Sequence, residues 1–121
     1  MAEGLVVCDT GPIVSALNKR EGRRNTFAAE ILASYGARAI IPWPVYVETD
    51  LLLRSRGFAA NGVRFGRALL AGEHSLLSLT DAQLELALTL LDRYEGVGLD
   101  LPDASVMAVS LLIAENEVPA S

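Results

Sequence analysis

The sequence holds one cysteine, Cys8, and one histidine, His74, in 121 residues. A lone cysteine excludes an intramolecular disulfide. Its place in the apolar run Leu5–Cys8 marks it as a small core residue rather than a reactive thiol. His74 precedes an apolar run and reads as a turn or surface residue. No stretch approaches the roughly 18 unbroken apolar residues of a membrane span. The opening MAEGLVVCDTG lacks the basic start and small-residue cleavage site of a secretory signal. A cytoplasmic location is the expectation. Gly57, Gly62, Gly66 and Gly72 form no phosphate-cradling pattern, and repeats, linkers and low-complexity segments are absent.

Hydrophobic residues make up 51% of the chain, so it folds, and its length fits one domain, residues 1–121, with a sizeable core. The formal net charge of −5 argues against a polyanionic partner, but its distribution does not. Residues 1–67 carry nine basic side chains against six acids, a balance of +3; residues 68–121 carry only Arg93 against nine acids, a balance of −8. Such asymmetry points to a nucleic-acid surface on one side of the molecule, or simply to solvated helix faces.

Leu5–Cys8 reads as a strand buried on both faces. Gly11 and Pro12 start a helix through Leu17, and Asn18–Asn25 is a charged turn. A helix over Thr26–Tyr35 stops at Gly36, and Arg38–Ile41 is a second strand. Pro44 opens a helix to about Arg56, another covers Ala59–Leu70, and Ser75–Leu79 is a third strand. Thr80 and Gln83 form a capping-box pattern for a helix to about Tyr94, and Pro102 opens the last helix, to about Glu115. Strands alternating with helices predict an α/β fold, three layers α/β/α around a parallel sheet.

Three acidic stations punctuate this pattern: Asp9, Glu48, and the pair Asp100 and Asp103. Ligands of open parallel sheets bind beyond the carboxyl ends of the strands, where Asp9 belongs. At helical spacing Glu48 shares a face with Val45, Leu51 and Leu52. Asp50 points elsewhere, paired with Arg54 at i+4. Asp103 shares a face with Val106, Met107 and Ser110, although a first-turn acid is also what the helix dipole favours. Inward acids need a partner, and with so little histidine or cysteine nearby that partner is a hard cation such as Mg²⁺ or Mn²⁺. Such an ion polarises a phosphodiester and activates water. Arg54 and Arg56 would bind flanking phosphates without reading sequence. Tyr46 and Phe58 read as packing residues rather than base-stacking ones, and Trp43, between two prolines, as a lid over a helix start.

The stretches VVCDTGPIVSALN, IIPWPVYVETDLLL and LDLPDASVMAVS together resemble the PIN-domain ribonucleases, above all the VapC toxins of bacterial type II toxin–antitoxin pairs. The resemblance spans the chain. It implies a metal-dependent endoribonuclease, a homodimer and inhibition by a cognate antitoxin. It places catalytic and metal-binding roles on Asp9, Glu48 and Asp103, with Asp100 as an extra acid nearby. Thr10 joins Arg54 and Arg56 as a candidate for contact with RNA. The resemblance also implies another strand after the last helix, carrying a further acid and pairing beside the first strand. The chain ends at Val118–Ser121, so that strand is expected to be missing and the first strand to be an apolar edge.

Asp9-Thr10-Gly11 also occurs in aspartic proteases, but those are nearly all-β. A receiver domain needs paired acids after its first strand, where only Asp9 stands here, and an acceptor aspartate after its third; Asp81 reads instead as a first-turn helix acid. The rival from another class is a PIN-like module that binds a partner without cleaving it.

Overall fold

The computed structural model describes residues 4–116. Within them the chain runs β1 (Val6–Val7), α1 (Thr10–Leu17), α2 (Arg23–Tyr35), β2 (Ala39–Pro42), α3 (Trp43–Ser55), α4 (Ala59–Leu70), β3 (Ser75–Leu77), α5 (Asp81–Arg93) and α6 (Leu101–Asn116). The strands form one parallel sheet in the order β1-β2-β3. Val6 lies opposite Ala39, and Ile41 opposite Leu76. Parallel neighbours require crossovers, which α1 with α2 and α3 with α4 supply. All strands therefore end at the same edge, where Asp9 follows β1 and α3 follows β2.

The main core gathers Ile13, Ile41, Val45, Phe65 and Leu69. A second cluster, Ala87, Leu90, Ala104 and Ala108, joins α5 to α6. Its alanines let the two helices approach closely. Among the described residues β1 and β3 are the edge strands, and an apolar cavity of about 580 Å³ opens beside β1, walled by Phe27, Ile31 and Tyr35. The expectation about a strand after α6 falls on residues outside those described.

Three details depart from the pattern read in the sequence. Helix α2 begins at Arg23, inside the expected turn. The reason is Asn25, whose side-chain amide donates to the carbonyls of Ser15 (2.8 Å) and Ala16 (2.9 Å) at the end of α1. Strand β3 stops at Leu77, two residues early. On α3 the fully buried stripe is Val45, Thr49 and Leu53, while Leu51 is 62% exposed. Thr49 tolerates burial because its hydroxyl donates to the Val45 carbonyl at 2.7 Å, which leaves no polar group unpaired.

Trp43 stands edge-on to Tyr46, with ring centroids 5.5 Å apart, and Tyr46 leans on Phe65 at 6.2 Å. His74 is half-buried, not a free surface residue: its Nδ1 lies 2.7 Å from the Gly36 carbonyl. A carbonyl only accepts, so Nδ1 carries the proton. That bond ties the start of β3 to the turn before β2. Phe58 lies under the Arg20 guanidinium, 5.1 Å from its centroid, a packed cation–π contact rather than a free stacking surface.

Candidate active site

Asp9 leaves β1 with an extended backbone and caps α1: its Oδ1 accepts the Thr10 N–H at 2.7 Å. Its other oxygen has no hydrogen-bond partner among the described residues. The preference of aspartate for helix N-termini thus fixes the carboxylate at the carboxyl edge of the sheet. Thr10 turns inward and is 4% exposed. Its hydroxyl is buried with no partner among the described residues, so the contact between Thr10 and RNA expected from the sequence has no exposed hydroxyl to make it.

Asp100 and Asp103 open α6 by capping each other. The Asp103 N–H donates to Asp100 Oδ1 at 3.0 Å, and the Asp100 N–H points to Asp103 Oδ2 at 3.4 Å. This is a capping box with aspartate at both ends. The Asp-x-x-Asp spacing carried that signal, and the sequence reading gave Asp100 no such role. Asp103 is half-buried, and its pKa is raised above the ordinary aspartate value. Desolvation is the largest cause; the side-chain hydrogen bond with Asp100 and the negative charges of Asp100 and Asp9 add to it. The backbone hydrogen bond acts the other way. Strand β1 packs against α6, so Asp9 and Asp103 belong to neighbouring elements.

Glu48 is half-buried at the margin of the α3 stripe. No hydrogen bond or ion pair engages its carboxylate among the described residues. None of the four acids is fully buried, although the sequence placed them inward: Asp9 and Asp100 are exposed. Among the described residues, no three His, Cys, Asp or Glu side chains converge closely enough to hold a metal ion. The donor set fits a hard cation by chemistry, all oxygen and all anionic. Its geometry brings Asp9 towards Asp100 and Asp103 and stops short of a coordination shell. Like charges without a cation between them repel.

Arg54 and Arg56 end α3 and are both exposed. Arg54 is already engaged, its Nε donating to Asp50 Oδ2 at 2.8 Å, as the i+4 spacing predicted. Cys8 is half-buried, and burial pushes its thiol up to about 11. A thiol that stays protonated at neutral pH is a poor nucleophile.

Among the described residues no helix is long and apolar enough to cross a membrane. No curated protein matches the chain. Among solved structures, the toxin VapC20 of Mycobacterium tuberculosis, described as cleaving the sarcin–ricin loop, superposes with a TM-score of 0.76 at 22% identity, over 93% of this chain and 84% of that one. That likeness is one of fold. The model of the PIN domain family matches residues 6–118, nearly the whole chain, and with the parallel sheet and the acids at its carboxyl edge it establishes that this protein belongs to the PIN-domain family.

Proposed function

We propose that this protein is a VapC-type toxin, a Mg²⁺- or Mn²⁺-dependent endoribonuclease that hydrolyses RNA phosphodiester bonds in the cytoplasm and is neutralised by a cognate antitoxin. The observation that carries the reading is the approach of Asp9, at the end of β1, to the Asp100–Asp103 pair at the start of α6. These carboxylates come from two segments distant in sequence and lie towards the edge where parallel sheets bind ligands, without converging into a coordination shell among the described residues. Glu48, half-buried and without a protein partner among the described residues, is the fourth donor. A bound divalent ion would supply Lewis acidity and a water of lowered pKa. Asp9 and Asp103 would hold it. Glu48 would orient the attacking water or accept its proton. Arg54 and Arg56, at the open end of α3, would hold phosphates on either side of the cut bond. Thr10 stays out of the RNA surface and supports the turn that presents Asp9.

The molecule is proposed to act as a homodimer. Trp43, Val47 and Leu51 make an apolar stripe on the outer face of α3, 42%, 47% and 62% exposed, which a symmetric partner would cover. Light scattering that finds a monomer at micromolar concentration removes this part of the reading.

The failure of three acids to converge favours one alternative, a PIN-like module that binds without cutting. One experiment separates the two. Purified protein is incubated with labelled RNA, starting with a sarcin–ricin-loop oligonucleotide, in Mg²⁺, in Mn²⁺ and in chelator. Cleavage that needs metal and disappears in Asp9→Asn supports the nuclease. RNA left intact under all conditions favours the binding module.

A further inference from the structure

We propose that the turn between α1 and α2, with Lys19, Arg20 and Arg23, joins the end of α3 to make one basic ridge that holds the RNA backbone away from the cut bond. The proposal rests on the ribonuclease reading and lengthens the phosphate contacts given there to Arg54 and Arg56. The two segments are distant in sequence, and the end of α1 gathers them. The carbonyls of Ser15 and Ala16 accept from the Asn25 side chain at 2.8 and 2.9 Å, and that of Leu17 accepts from the Asn61 side chain at 2.7 Å. Carbonyls left without an intrahelical partner thus draw in the starts of α2 and α4. Buried Asn18 accepts the Arg20 N–H at 3.1 Å and sets Arg20 just past the helix end. On the other side Gly57, at φ 84°, ends α3 in a Schellman motif. Its N–H donates to the Arg54 carbonyl at 3.2 Å, and the Phe58 N–H donates to the Leu53 carbonyl at 2.7 Å. The motif turns Phe58 under the Arg20 guanidinium, 5.1 Å from the ring centroid. That contact links the two basic segments. A guanidinium stacked on a ring keeps its edge N–H groups for phosphate oxygens.

Charge names the ligand. Lys19, Arg20, Arg23 and Arg56 are exposed and form no ion pair among the described residues. No acid falls between Asp50 and Glu73 in the sequence. In the α1–α2 turn the acid Glu21 is half-buried. Its Oε1 accepts the Ser15 hydroxyl at 2.8 Å and stands 3.8 Å from Arg24. Asp50 is likewise taken up by Arg54. The ridge is therefore a positive field on a chain of net charge −5, and local potential rather than net charge draws a polyanion. Long cationic side chains on exposed turns suit a sugar-phosphate backbone and carry no base information. The substrate class is an RNA strand that runs past the acids and along both turns.

The test measures binding of the full chain to a labelled single-stranded RNA of about 16 nucleotides by fluorescence anisotropy, in chelator, from low to moderate salt. Lys19→Glu and Arg23→Glu, each made alone, should each weaken binding about fivefold at low salt and reduce the slope of log affinity against log salt by about 0.7. RNAs of different sequence should lose affinity alike. Both positions are exposed, so folding should survive, and an unchanged Tm checks it. Arg93→Glu makes a comparable change of charge on an exposed position of α5 and should leave affinity and slope unchanged. Unchanged affinity in both ridge variants, or an equal loss in Arg93→Glu, overturns the proposal. Ridge variants that keep RNA affinity but lose an acidic protein assign the patch to that partner and overturn it too. Chelator keeps chemistry out of the readout. RNA bound through the ridge yet left intact in metal would sink the nuclease reading alone, whereas metal-dependent cleavage with no loss of affinity in the ridge variants would sink the ridge alone.

Discussion

Asp103 and Asp100 hold each other across the first turn of α6, the N–H of Asp103 donating to Asp100 Oδ1 at 3.0 Å and Asp103 Oδ2 facing the Asp100 N–H at 3.4 Å. The helix start tolerates two carboxylates because its free N–H groups and dipole offset their repulsion. Asp9 adds a third negative charge that acts on Asp103. In the proposed site a divalent cation would relieve that crowding and would bind the folded state alone. At ten times its dissociation constant it would add about 1.4 kcal/mol of stability, a rise in Tm of about 4–7 °C for a domain of this size. A thermal scan in Mg²⁺ or Mn²⁺, against sodium at equal ionic strength, checks it. An unchanged Tm at millimolar metal counts against the site.

Asp9→Asn separates chemistry from folding. Asparagine caps a helix as well as aspartate does, so the Asp9–Thr10 cap at 2.7 Å survives. The negative charge facing Asp103 is lost. Cleavage should fall about 100-fold or more, the scale of losing several kcal/mol of metal-assisted stabilisation, with Tm equal or higher. The pH dependence follows from the same contact. Asp103's folded pKa is raised, so its protonated form is favoured by folding. That contribution is complete below the unfolded pKa of about 4 and is lost as pH rises through the folded value. In Asp9→Asn one of the causes is gone, and the Asp103 carboxyl should titrate at lower pH. Carboxyl NMR titration of metal-free protein measures this; an unmoved Asp103 would mean that Asp9 lies too far away to share an ion.

Gly66 is a packing requirement rather than a backbone one. A Cβ there would sit 2.6 Å from Tyr46 Oη, and the Tyr46 ring has little room to retreat between Trp43 and Phe65. Gly66→Ala gains about 1 kcal/mol of helix propensity and loses about 1–3 kcal/mol to overpacking. Denaturant unfolding should show net destabilisation. Adding Tyr46→Phe removes the clashing oxygen, so Gly66→Ala should become neutral or stabilising in that background. If the second substitution rescues nothing, the clash is not the cause.

Local chemistry announced much of this fold. Apolar runs ending in Gly, Pro or capping residues located the three parallel strands and most helix ends. Thr80 and Gln83 cap α5 as their spacing requires, at 3.1 and 2.8 Å. Contacts distant in sequence were not legible. Asn25 lengthens α2 by reaching back to α1, and Thr49 takes the centre of the buried stripe of α3 by hiding its hydroxyl on its own helix, which leaves Leu51 outside and Glu48 at the margin. The order of the acids was readable, and so was the edge at which Asp9 belongs. How near Glu48 comes to Asp103 was not, because that depends on how α3 and α6 pack.

Arg54 and Arg56 differ in how free they are. Arg54 is engaged with Asp50, at 2.8 Å on an exposed surface, where solvent screening leaves such a pair little effect on stability. Arg56, just after α3, has no ion-pair partner among the described residues. If both hold RNA phosphates, Arg56→Glu should weaken RNA binding more than Arg54→Glu does, by similar factors across RNA sequences, because phosphate contacts carry no base information. Each lost contact should reduce the slope of log affinity against log salt by about 0.7 for single-stranded RNA. Asp50→Asn supplies a sharper check: it frees Arg54, so RNA affinity should rise while stability changes little. Fluorescence anisotropy with the non-cleaving Asp9→Asn background, titrated from low to moderate salt, reads all three variants. Unchanged affinity and slope in both arginine reversals would remove the two residues from the RNA surface, whatever the metal site does.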